Sequence, residues 1–211
     1  MLEVAELECV RGDRRLFTDL SFSLERGELL YLYGHNGSGK TTLMRAICGL
    51  FRPTAGEIRW DGENIRELSD DYTREVLYIG HKNGIKDDLT ALENLRILST
   101  LDGVHMTEGQ AWDALDRIGL RGFEDLPTQV LSQGQKRRVA LARLLAHQAK
   151  LWILDEPFTA LDRDAVAMLQ EVIRAHVDGG GMALLTTHQE VQLTEGQVKR
   201  LQLGAGGKGN A

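Results

Sequence analysis

The residues Tyr31-Leu-Tyr-Gly-His-Asn-Gly-Ser-Gly-Lys-Thr-Thr42 constrain the chain more than any other stretch. They pass from an apolar run through closely spaced glycines into a lysine and two threonines. Gly34, Gly39, Lys40 and Thr41 fit the spacing G-x-x-x-x-G-K-[ST]. Each residue type has a physical purpose. Gly34, Gly37 and Gly39 let the backbone curl with its N–H groups inward, a nest for phosphate oxygens. A helix opening at Lys40 adds the positive end of its dipole. Lys40 would reach the β- and γ-phosphates, and the Thr41 hydroxyl would face Mg²⁺. His35, Asn36, Ser38 and Thr42 complete the candidate nucleotide-binding loop. The bland alternative is an ordinary glycine turn. The apolar run Leu29 to Tyr33 argues against it, because it supplies the buried parallel strand such a loop follows.

The chain has 211 residues, the length of one large domain or two small ones, and enough for a sizeable core. A net charge of −6 gives no bulk attraction to nucleic acid or anionic lipid. Cys9 and Cys48 form no metal-spaced cluster, and a reducing compartment fits. No apolar run approaches the roughly 18 residues of a membrane span. The start, Met1-Leu-Glu-Val-Ala-Glu, lacks the basic-then-apolar pattern of a signal peptide. Any membrane contact is therefore expected through a partner.

Residues 2–10 and 20–25 alternate as strands, with a polar turn at 11–15 between them. After the loop, a helix runs from Lys40 to Cys48 and stops at Gly49. Glu57 to Trp60 and Val76 to Ile79 read as short strands. Thr90 with Glu93, and Thr107 with Gln110, are capping-box pairs that open two helices. The second helix is expected to place Trp112, Leu115 and Ile118 on one face. A long helix is expected over 133–148, so that 86–146 reads as a helical insertion. Leu151 to Leu154 and Met182 to Thr186 read as buried strands, with a helix capped by Asp162 between them. Gln197 to Leu203 reads as an edge strand. The first 203 residues read as one domain, and the Gly-rich tail 204–211 as disordered.

Leu151-Trp-Ile-Leu-Asp155-Glu156 is an apolar strand ending in two acids. In open α/β sheets, ligands sit at the carboxyl ends of parallel strands. Asp155 is placed to hold Mg²⁺, and Glu156 to polarise an attacking water as a general base. Two solvated acids at a strand end are the bland reading, and the phosphate loop upstream weakens it.

Leu131-Ser-Gln-Gly-Gln135, followed by Lys136-Arg-Arg138, gives the third signal. Here the chain resembles the nucleotide-binding subunits of ABC transporters, whose signature is Leu-Ser-Gly-Gly-Gln. Gln133 departs from it. The resemblance covers Leu2 to about Leu203. It implies an α/β fold with a P-loop NTPase core of ABC type, an N-terminal antiparallel β subdomain and an inserted α-helical subdomain. It implies ATP and Mg²⁺ as cofactors and an ATPase reaction. It also implies a head-to-tail homodimer in which Ser132, Gln133, Gly134 and Gln135 serve the ATP held by the other copy. His188 resembles the switch histidine that senses the γ-phosphate. Thr159-Ala-Leu-Asp162 resembles the loop that crosses between subunits. His81 stands where the family has a glutamine touching Mg²⁺ or its water. Neutral imidazole can accept a hydrogen bond or ligate a metal there, and its protonation would make coupling pH-sensitive. Arg11 stands where an aromatic ring stacks on adenine, and a guanidinium can also stack on a base.

The motifs together resemble one branch, the cytochrome c biogenesis ATPases. That branch implies CcmB-like and CcmC-like integral membrane subunits, haem export or haem-chaperone release, and a peripheral place on the cytoplasmic face of the bacterial inner membrane. The other readings are the ATPase of another ABC transporter, a soluble ABC-type ATPase on ribosomes or DNA, a non-hydrolysing scaffold and a phosphate-loop kinase. One cassette, no basic tail, an intact Lys40, Asp155, Glu156 and His188, and the segment at Ser132 argue against the last three.

Overall fold

The computed structural model describes residues 1–187 and 197–204. His188 and residues 205–211 of the tail lie outside them, so the expectations for both stay open.

Strands β1 (Leu2–Arg11) and β2 (Arg14–Leu24) form an antiparallel hairpin. Its turn is Gly12-Asp13, with Gly12 at φ 61°. The polar turn expected at 11–15 is therefore shorter, and the second strand starts six residues before position 20. Arg14 and Arg15 look like loop residues but belong to a sheet edge, where charged side chains deter further pairing. Arg15 reaches Glu8 across the pair at 2.9 Å.

Strand β3 (Leu29–Tyr33) leads into the loop and then helix α1 (Lys40–Ile47). Strands β4 (Ala55–Trp60) and β5 (Glu63–Asn64) extend the antiparallel sheet to the order β2-β1-β4-β5. Two short helices follow, α2 (Ile65–Leu68) and α3 (Asp70–Arg74). Tyr72 of α3 packs edge-on against Trp60 and donates its hydroxyl to the Ile47 carbonyl at 2.7 Å.

After β6 (Val76–Ile79) come α4 (Ala91–Leu101), α5 (Glu108–Arg117) and α6 (Gln133–Leu141). All three open on capping boxes, at Thr90, Thr107 and Ser132. On α5 the buried stripe is Ala111, Ala114, Leu115 and then Ile118, while Trp112 is 36% exposed. Three-residue steps drift around a helix, so the face expected to include Trp112 turns to solvent. Helix α6 is also shorter than expected. It tightens into a 3₁₀ turn at Ala142–Leu145, which buries Leu144 and lets Arg143 grip Asp102 with two bonds of 2.8 and 2.7 Å.

Strand β7 (Leu151–Asp155), helix α7 (Arg163–Asp178), β8 (Met182–Thr186) and β9 (Val198–Gln202) complete the fold. The second sheet is parallel throughout, in the order β6-β7-β8-β3-β9. Its inner strands β3, β7 and β8 are apolar on both faces, and their alternation divides two cores. Leu29, Tyr31, Trp152, Leu154, Ala183 and Leu185 face the core shared with α4 to α7. Leu30, Leu32, Leu151, Ile153, Met182 and Leu184 face the core shared with α1 and the antiparallel sheet. This is an α/β fold with helices covering a parallel sheet and an antiparallel sheet beside it.

At the end of α7, His176 stacks on Trp152 with ring centroids 3.7 Å apart and planes within 3°. Its Nε2–H donates to the Met182 carbonyl at 3.1 Å. Burial pulls its pKa from 6.5 down to about 4. The fold therefore favours neutral imidazole, while the unfolded chain takes up a proton as pH falls below about 6.5. This contribution is complete above pH 6.5 and is lost between pH 6.5 and 4, by roughly 3 kcal/mol. Urea melts of wild type and His176→Phe at pH 7.5 and 5.0 should show a smaller acid loss in the variant.

Candidate nucleotide site

The phosphate loop joins the carboxyl end of β3 to α1. Gly34 (φ 151°), Gly37 (φ 80°) and Gly39 (φ 103°) give it its curl. A Cβ on Gly34 would meet Ser38 Oγ at 2.4 Å, so no side chain fits there. Helix α1 has no side-chain cap and no acid in its first turn. Its leading N–H groups are left for a ligand, and an anion suits them best. Lys40 Nζ donates to the carbonyls of Gly34 at 2.6 Å and His35 at 3.2 Å, closing the loop from inside. Ser38 Oγ is buried with no hydrogen-bond partner among the described residues.

The acidic pair comes from the carboxyl end of β7, two strands from β3 in the sheet. Asp155 is 4% exposed and held from two sides. Thr41 Oγ1 donates to its Oδ2 at 2.9 Å, and Thr186 Oγ1 donates to its Oδ1 at 2.6 Å. Glu156 is the next residue, at φ 50°. Its N–H donates to both the carbonyl and the hydroxyl of Thr186, at 3.0 and 2.9 Å. Tyr78 of β6 lies nearby; burial, reinforced by the Asp155 carboxylate, pushes its phenol up to about 12, so it stays neutral.

A cleft of about 460 Å³ brings these groups together. Asn36, Gly37, Gly39, Lys40, Thr41 and Thr42 line it from the loop and α1. Asp155, Glu156, His81 and Arg11 line it too, as do Arg14 and Leu16. Gly34, His35 and Ser38 shape the loop without lining the cleft. Arg14 is a residue the sequence reading missed. It pairs with Arg11 across the hairpin, so the Gly12-Asp13 turn carries two guanidinium groups to the cleft. The signal was available, since reading Gly-Asp as a two-residue hairpin turn puts the flanking arginines opposite each other. Thr186 was missed as well. It was read only as the end of a strand, and nothing local marks it as the holder of Asp155.

Ser132, Gln133, Gly134 and Gln135 do not line this cleft. Ser132 caps α6, with its hydroxyl accepting from the Gln135 N–H at 3.2 Å, and Ser132 and Gln133 are exposed. Gly134 presses on the loop after the acidic pair, where a Cβ would meet the Ala160 carbonyl at 2.6 Å. Asp162 caps α7 through the Ala165 N–H at 2.9 Å and also pairs with Arg138.

Thr41 and Asp155 offer two oxygens side by side, the donors a hard divalent cation prefers. Among the described residues no group of three His, Cys, Asp or Glu side chains could hold a metal by itself. A cation here would thus take its other oxygens from phosphate and water, which suits Mg²⁺. No helix among the described residues is long and apolar enough to cross a membrane.

Known proteins resemble the chain in sequence and in fold. The ABC transporter family model matches residues 17–159. The cytochrome c biogenesis ATP-binding export protein CcmA of Nitrosospira multiformis is 55% identical over 202 residues, covering 96% of this chain and 98% of that protein. Its counterpart in Salmonella typhi is 50% identical over 209 residues, 99% of this chain and 100% of the other. Among solved structures, a dimeric ATP-binding cassette in a post-hydrolysis state with ADP and phosphate superposes with a TM-score of 0.78. It is 25% identical, with 90% of this chain and 88% of that one covered. The chain belongs to the ABC transporter family of ATP-binding subunits, in the branch of the cytochrome c biogenesis ATP-binding export proteins.

Proposed function

We propose that the chain is the ATP-hydrolysing subunit of a bacterial membrane complex for c-type cytochrome biogenesis, acting in haem export or haem-chaperone release. One observation carries the reading. Lys40, Thr41, Asp155 and Glu156 converge on a single cleft, in a chain that matches CcmA proteins over nearly its whole length.

The roles follow from the chemistry of each group. Gly34 to Thr42 would cradle the triphosphate, with backbone N–H groups and the Lys40 amine neutralising its charge. Thr41 and Asp155 would hold Mg²⁺, with His81 near it. The cation, when bound, would offset charge on the phosphate oxygens. Glu156 would take a proton from the attacking water, and His188 would help hold that water. Arg11, together with Arg14, would face the base, since a planar guanidinium can stack where other family members use an aromatic ring.

Two copies would pair so that Ser132, Gln133, Gly134 and Gln135 of one meet the ATP of the other. The exposure of Ser132 and Gln133 at the start of α6, and the place of all four away from the cleft of their own chain, support this. A cassette of like fold is dimeric. ATP bound between the copies would favour the closed pair through its higher affinity for that state. The pair would dock on CcmB-like subunits, with CcmC-like subunits in the same assembly, at the cytoplasmic face of the inner membrane.

Affinity purification from detergent-solubilised membranes tests the proposal. Integral subunits should come down with the chain, and phosphate release from ATP should change when they are present. Recovery with ribosomes or nucleic acid, and no membrane protein, would overturn it.

A further inference from the structure

Three consecutive basic residues follow the Ser132 segment, and each is fixed to a different part of the molecule. Lys136 pairs with Asp87 at 2.6 Å, and Arg138 pairs with Asp162 and donates to the Gly119 carbonyl at 3.2 Å. Arg137 differs from both. It is 3% exposed, and it pairs with no carboxylate among the described residues. Its guanidinium instead makes five hydrogen bonds to loops at the cleft.

One terminal nitrogen donates to the carbonyls of Asp155 and Glu156, both at 3.0 Å. Nε donates to the Pro157 carbonyl at 3.3 Å. The other terminal nitrogen donates to the Gly80 carbonyl at 2.9 Å and Asn83 Oδ1 at 3.2 Å. A single planar fork thus grips the backbone of three successive residues at the acidic pair and both sides of His81. Burial lowers the Arg137 pKa, while the Asp155 and Glu156 charges act the other way. A lysine could not replace the fork, because one ammonium cannot aim donors along these fixed, divergent directions.

We propose that Arg137 is a positioning residue for hydrolysis. It clamps the Glu156 backbone in its left-handed conformation and binds the acidic pair to the His81 loop. The general base and the loop beside the phosphates then hold one fixed relation to each other. Arg137 lies on α6 five residues after its N-cap Ser132, so the same fork ties this relation to the segment meant for the partner's nucleotide. The inference rests on Glu156 acting as the base. A small misplacement of a base from its water costs rate without costing nucleotide affinity.

Steady-state ATP hydrolysis by the full chain in its membrane complex tests this, with thermal melting to measure the folded fraction. Arg137→Gln should lower kcat by about 10²-fold per folded molecule, with the ATP KM within about twofold of wild type. Arg137→Lys should restore only a minor part of the rate. Asn83→Ala removes one acceptor at a half-buried loop position and leaves the arginine in place. It should lower kcat by about threefold or more at unchanged KM. An arginine that only supports the fold would lower the melting temperature and leave kcat per folded molecule at wild type, and that result overturns the proposal. So does a loss confined to KM. If Arg137→Gln does not fold, Asn83→Ala decides, and a wild-type kcat there overturns the clamp. Glu156→Gln, assayed in parallel, separates the two ideas. Normal turnover by that variant removes the base assignment, whereas its failure together with normal Arg137 and Asn83 variants removes the clamp alone.

Discussion

Glu156→Gln should keep its grip on ATP and lose hydrolysis by about 10³-fold, because a general base contributes on the order of 10²–10⁴ in rate. The amide preserves shape and hydrogen-bonding reach but cannot accept the water's proton. The Glu156 main chain is fixed by Thr186 and Arg137, and neither contact involves the carboxylate. The backbone should therefore stay in place, and binding constants should stay close to wild type. Stalled before hydrolysis, the protein should accumulate as an ATP-bound pair, visible as a shift in gel filtration with ATP and absent with ADP. Turnover within tenfold of wild type would remove Glu156 as the base.

Lys40→Ala should weaken ATP binding by roughly 10- to 100-fold, since hydrogen bonds to charged groups are worth about 1.5–3 kcal/mol. The amine also bonds the Gly34 and His35 carbonyls, so its loss should loosen the loop itself. Titration with a fluorescent ATP analogue measures the effect. Lys40→Arg should recover little of it, because the larger planar head does not fit a pocket shaped around one ammonium. Wild-type affinity in Lys40→Ala would mean that the loop N–H groups and helix dipole suffice alone.

The phosphate loop and the capping boxes at Thr90 and Thr107 were legible because their information is local, and the box at Ser132, which the signature-like segment overshadowed, has the same spacing. Thr90 and Glu93, Thr107 and Gln110, and Ser132 and Gln135 each lie three residues apart, and each forms the reciprocal pair its spacing predicts. Parallel strands β3, β7 and β8 were legible as apolar runs, since both of their faces are buried. Charged Arg14 and Arg15 hid the start of β2, because an edge strand does not need to look apolar. Short helices α2 and α3 had no periodicity to read; their support is tertiary, with Tyr72 against Trp60. Within the site, Thr186 and Arg137 act across long stretches of chain. Thr186 is 31 residues from its carboxylate, and Arg137 is 54 from Asn83. Bonds of that kind leave no spacing in the sequence, so Arg137 read only as part of a basic helix start.

Two residues without glycine's freedom sit at positive φ just after β7, Glu156 at 50° and Ala160 at 64°. Glycine would relieve each by roughly 1 kcal/mol. A chain selected for folding stability alone would place glycine or asparagine at 156. A carboxylate stands there instead, so stability and turnover make opposite demands on one residue. Attempts to make this ATPase more heat-resistant will therefore find the acidic loop unproductive ground, and gains should come from surfaces such as α5, where no residue lines the nucleotide cleft.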